Sequence, residues 1–186
     1  ITPVAAAGFV GLMSLFNMGG RFFWASISDY IGRRNTYFVF MVLGFFLYCA
    51  VPYTGSIGSV ALFVICFLVI ISMYGGGFAT VPAYLKDMYG TRYVGAIHGL
   101  LLTAWSAAGI FGPVLVNYIR EYNVTHGVPN AQAYNTTMYI MAGLLVIGFI
   151  CNFMIKAVHE RFHMKSDHEA ARAQAQVAAV SEPAGA

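Results

Sequence analysis

Five apolar stretches, each close to the length of a membrane crossing, follow one another along this chain with only short breaks between them. A helix needs about 20 mostly apolar residues to cross a hydrocarbon core of about 30 Å. The stretches run from Pro3 to Ser26, Thr36 to Tyr53, Ser59 to Tyr84, Gly95 to Ile119 and Thr136 to Ala157. Of the 186 residues only 9% are charged and 59% are hydrophobic. Soluble domains carry about 25% charged residues, so this chain cannot cover a soluble surface of its own size. That excludes a globular cytosolic enzyme, a nucleic-acid binder and a disordered protein. The expected fold class is an all-α membrane protein with five transmembrane helices. Residues 1–165 form its membrane portion, and 166–186 form a polar, Ala-rich cytoplasmic tail.

Orientation follows from the placement of Lys and Arg. One set of loops holds Arg33, Arg34, Lys86, Arg92, Lys156, Arg161 and Lys165, and the opposite set holds Arg120 alone. The first set is expected on the cytoplasmic side of a plasma or inner membrane. The chain would then enter from outside and end inside. A start outside with no leader calls for an earlier span, so an upstream part of the same protein is an expected partner. The cysteines Cys49, Cys66 and Cys151 lie in apolar stretches without metal-ligand spacing, and neither a metal nor a cofactor is expected.

Arg21 carries the most information. It precedes Asp29 by eight positions, which places it about 12 Å along a helix from the turn and near the membrane middle. A central Arg costs roughly 3 kcal/mol on insertion scales and needs a partner or a water-filled cavity. No Asp or Glu lies inside any of the five stretches. Either a carboxylate on the absent part pairs with Arg21 or its side chain snorkels, or the partner is an anionic substrate, whose carboxylate suits the planar guanidinium fork. Ser14 and Asn17 share its stripe at spacings of four and three, and Trp24 and Ser28 continue the stripe toward the turn. Ser14 and Asn17 read as helix–helix hydrogen bonds or as the wall of a pathway.

Two further positions are candidates. Tyr74 lies deep in the third stretch beside Gly75, Gly76 and Gly77, where it could donate to substrate. His98 lies near the start of the fourth stretch and could relay protons or simply pack. The glycines read as packing contacts or as hinges, as do Gly95, Gly99, Gly109, Gly112 and Pro113 of the fourth stretch.

The turn after the first stretch reads Ala25-Ser-Ile-Ser-Asp29-Tyr-Ile-Gly32-Arg33-Arg34. Gly32 permits the sharp turn, Asp29 can accept from a helix end, and the two arginines anchor the cytoplasmic edge. This run resembles the G-x-x-x-D-x-x-G-R-R loop motif of the major facilitator superfamily, with Ala25 where the motif usually has Gly. The strings from Gly20 to Asp29, Val81 to Gly90 and Gly99 to Gly109 resemble its oxalate/formate antiporter branch. The resemblance implies helices eight to twelve of a twelve-helix carrier, the first seven being upstream. It implies that Arg21 binds a substrate carboxylate, and that Asp29, Gly32, Arg33 and Arg34 form a gating loop. It also implies a second basic residue near position 105, where this chain has Trp105.

A dicarboxylate needs two positive groups, whereas Trp105 offers apolar area and one N–H donor. The expected function is therefore secondary transport of monocarboxylates such as lactate, pyruvate or formate, with oxalate disfavoured, by exchange or proton symport. Trp105 can also be read as packing. The alternatives are a facilitator of another small solute and a non-transporting carboxylate sensor. An enzyme is not expected, because the stretches hold no nucleophile–base set.

Overall fold

The computed structural model describes residues 3–130 and 132–156. Its elements are five helices: α1 (Pro3–Ile31), α2 (Arg33–Ile57), α3 (Val60–Tyr89), α4 (Val94–Thr125) and α5 (Asn135–Met154). Each covers most or all of one expected stretch, with Ser59 just before α3 as its cap and Ile155 and Lys156 just past α5; Ala157 and the tail lie outside the described residues. The helices outrun the apolar runs because polar residues at their ends are good enough helix formers to continue the backbone ladder. α2 also passes through Pro52, α3 through Pro82 and α4 through Pro113, as helices in membranes tolerate. By length and composition α2 to α5 are apolar enough to cross a membrane. α1 has 29 residues, enough for about 43 Å. Ser14, Asn17, Gly19, Gly20 and Arg21 dilute its apolar content.

The connections are short. Gly32 alone separates α1 from α2, at φ +87°, a left-handed conformation that suits glycine. Its N–H donates to the Ser28 carbonyl and its own carbonyl accepts from the Thr36 N–H, at 3.1 and 3.0 Å. Gly58 and Ser59 join α2 to α3, and the Ser59 side chain caps α3.

α1 and α2 both pack on α3, α5 packs on α2, and α4 leans on α3 and α5 without touching α1. No residue of α4 is buried. The core is small and formed by Trp24, Phe40 and Met73, with Ile27, Tyr37 and Leu43 against it. Most other large apolar side chains are exposed, which suits a surface facing lipid.

The seam between α1 and α3 is backbone against backbone. A Cβ on Gly20 would run into the Ser72 main chain, and one on Gly75 into the Asn17 carbonyl. Small residues on both helices let them come this close. Gly75 and Gly76 are thus packing residues. Gly95, Gly99, Gly109 and Gly112 of α4 meet no neighbour within 4 Å.

Candidate substrate-binding site and loop clamp

The expected site residues fall into two groups that α3 holds apart. Ser14 and Arg21 lie on the exposed face of α1, beside the seam. Ser14 Oγ donates to the Val10 carbonyl at 3.0 Å. Among the described residues Arg21 makes no ion pair or hydrogen bond. Asn17 stands at the edge of the seam, where its Oδ1 is buried, lacks a donor and lies 2.6 Å from where a Gly75 Cβ would be. Trp24 and Ser28 do not continue an open stripe. Trp24 is buried against Phe40 and its indole N–H donates to Ser72 Oγ at 3.3 Å. Ser28 is buried and bonds the Ala25 carbonyl at 2.7 Å. Both share the face of Arg21 within about 60° but lie one and two turns closer to the end of α1, where the helices pack more closely.

The second group shares a cleft of about 280 Å³ between α3 and α4. Tyr74, Phe78 and Val81 of α3 face His98, Leu101 and Trp105 of α4 across it. Phe78 links the two aromatic candidates, with its ring edge-on to Tyr74 at 5.3 Å and to Trp105 at 5.1 Å. The cleft is mostly apolar, and the lining residues that carry polar side-chain groups are Tyr37 of α2, Tyr74, His98 and Trp105. Arg21 does not line it. The connection between the two groups is one residue long, since Tyr74 enters the cleft and Gly75 after it meets Asn17.

The loop motif forms a clamp on three helices. Arg33 donates through Nη2 to Asp29 Oδ1 at 2.8 Å and through Nη1 to Asp87 Oδ2 at 2.9 Å. It thereby joins the end of α1, the start of α2 and the end of α3. Arg34 donates to the Phe153 carbonyl at 2.8 Å, capping the α5 terminus, where a cation suits the helix dipole. Asn152, buried, donates to the Arg34 carbonyl at 3.3 Å and accepts from Tyr84 Oη at 3.0 Å. Tyr84 stacks on Tyr37, whose hydroxyl donates to the Gly77 carbonyl at 2.8 Å. Asp87, Asn152, Tyr84 and Tyr37 were not among the expected functional residues. A lone Asn inside an apolar stretch, and an acid at the end of one, were the available signals.

Comparison with known proteins agrees with this architecture. The Major Facilitator Superfamily model matches residues 10–182. The chain belongs to the major facilitator superfamily. Over 103 residues it is 33% identical to the oxalate:formate antiporter of Oxalobacter formigenes, covering 55% of this chain and 24% of that protein. Over 149 residues it is 22% identical to the sialic acid transporter NanX of Escherichia coli (strain K12), covering 80% of this chain and 36% of that protein. It thus spans between about a quarter and a third of the length of these relatives. No solved structure matches the chain. As a member of this superfamily it is an integral, multi-pass membrane protein.

Proposed function

We propose that the five helices correspond to helices eight to twelve of a secondary carrier of small organic monocarboxylates, working by alternating access. The observation that carries this reading is Arg21. It is a guanidinium inside α1, ten residues before Ile31, on an exposed face, with no ion pair among the described residues. A carboxylate guest would complete it with two hydrogen bonds. The two relatives support an anionic guest, since oxalate, formate and sialic acid are all carboxylic acids. One Arg balances one charge, and Trp105 adds an apolar wall rather than a second cation. Oxalate is therefore the weaker guest.

Asn17 and Ser14 flank the anion on α1. Tyr74 and Trp105, across α3, shape the apolar cleft through which α3 and α4 move against each other. His98, seven residues from Trp105 on the same face of α4, is the candidate proton relay. The clamp of Asp29, Gly32, Arg33 and Arg34 lies at the end proposed to face the cytoplasm, where release of the Arg33 pairs would accompany opening.

Counterflow tests this reading. The full-length protein, reconstituted in proteoliposomes, should exchange labelled lactate, pyruvate or formate against the same internal anion and leave oxalate largely outside. Binding of a monocarboxylate without exchange would indicate a sensor. Preference for sialic acid would move the protein toward the second relative, and preference for oxalate would reject the role given to Trp105.

A further inference from the structure

On the side of α2 away from the α1–α3 seam, a groove of about 230 Å³ runs between α2 and α5. Its lining includes Met41, Val42 and Phe45 of α2 and Leu145, Val146 and Phe149 of α5. All of these side chains are apolar. Val42, Val146 and Phe149 are 43%, 43% and 37% exposed, so the groove opens outward.

The groove does not end in apolar surface. Arg34, Phe38, Met41 and Phe45 follow one another at spacings of four, three and four, with Val42 four residues after Phe38, forming one stripe of α2. Leu145, Phe149, Phe153 and Lys156 do the same along α5 and just beyond it. The two stripes meet at Phe38, whose ring lies 5.0 Å from Phe149 and 6.4 Å from Phe153. The Arg34 guanidinium sits 5.7 Å from the centre of the Phe38 ring. Because the helices are antiparallel, both stripes carry their cation at the same end. Arg34 is seven residues before Met41, and Lys156 is seven after Phe149. Seven residues span about 10 Å, close to the step from a bilayer's head-group layer into its hydrocarbon.

Arg34 uses one N–H on the Phe153 carbonyl and is exposed. Lys156 is exposed and forms no ion pair among the described residues. The clamp's acids, Asp29 and Asp87, are engaged by Arg33. We infer that this surface binds an anionic phospholipid, with its phosphate between Arg34 and Lys156 and an acyl chain in the α2–α5 groove. The match is of charge to charge at the interface and of apolar wall to hydrocarbon below it.

Native mass spectrometry of the detergent-purified full-length protein tests this with dioleoyl phosphatidylglycerol and dioleoyl phosphatidylcholine as probes. The wild type should retain the anionic lipid at least tenfold better. Lys156→Gln should reduce that preference about fivefold, equivalent to about 1 kcal/mol, and addition of Arg34→Gln should abolish it. Lys156→Gln removes no ion pair or hydrogen bond among the described residues, so its result stands even if the double variant is unstable. Val146→Trp, which fills the groove, should release both lipids.

Equal retention of the two lipids by the wild type would overturn the inference, as would an unchanged preference in the charge variants. Full competition by glycerol 3-phosphate would show that an anion alone is bound, and would reject the acyl-chain site. A dimer that Val146→Trp dissociates would show that a second copy covers the groove instead.

Discussion

Arg33 on α2 donates to Asp87 on α3 at 2.9 Å although the two residues are 54 positions apart. With the second bond from Arg33 to Asp29, one guanidinium fixes how three helices end at the same membrane face. The pair is partly exposed, with 27% of the Arg33 and 50% of the Asp87 side-chain surface accessible. Pairs of this kind contribute about 0–1 kcal/mol. Its value is therefore in geometry and in its ability to break. Asp87→Asn should lower thermal stability of the purified protein by no more than about 1 kcal/mol while changing the transport rate severalfold, measured in proteoliposomes. A large loss of stability with normal transport would assign the pair to the fold alone.

The α1–α3 seam predicts an asymmetry among glycines. Gly20→Ala and Gly75→Ala place a methyl group on neighbouring backbone, and overpacking of this kind costs typically 1–3 kcal/mol. Gly95→Ala and Gly109→Ala meet open space and should change stability by less than about 0.5 kcal/mol. Thermal unfolding in detergent, followed by a thiol-reactive dye at the native cysteines, distinguishes the two sets.

The buried Asn152 links α5, α2 and α3 through Arg34 and Tyr84. Asn152→Ala should destabilise by about 1 kcal/mol, and Tyr84→Phe by somewhat less. A double-mutant cycle should return a coupling near 0.6 kcal/mol, the average for such bonds within a membrane. Strict additivity would mean that the two side chains do not share the bond.

The cleft makes a prediction about access. A cysteine placed at Trp105 or Tyr74, in a background lacking the native cysteines, should react with a small soluble maleimide. Saturating monocarboxylate should slow that reaction severalfold. Equal rates with and without the anion would remove α3 and α4 from the transport path.

These contacts also show what a linear reading can and cannot provide. The five helices were legible because hydrocarbon demands long apolar runs, and Gly32 was legible because a one-residue turn needs a left-handed backbone. The ends of the helices were not, since α1 continues to Ile31 and α3 to Tyr89 in residues that are polar yet helical. Arg21 stood out because a central charge is costly. Trp24 and Ser28 share its spacing but are buried, Trp24 in the core against α3, because spacing alone does not say where along a helix its neighbours pack. Asp29, four residues before Arg33, was within reach as its partner, but Asp87, 54 positions on, was not. Tyr74, His98 and Trp105 were each chosen separately, and only the packing of α4 on α3 shows that they share one cleft.

The most direct test of the central claim is uptake of labelled monocarboxylate by Arg21→Ala and Arg21→Lys variants of the full-length protein, at matched membrane insertion. Loss of one charged hydrogen-bonding partner of a bound carboxylate should cost about 2–5 kcal/mol. Arg21→Ala should therefore reduce uptake by at least thirtyfold, and Arg21→Lys should restore part of it with a higher KM. Uptake by Arg21→Ala within twofold of the wild type would contradict the account.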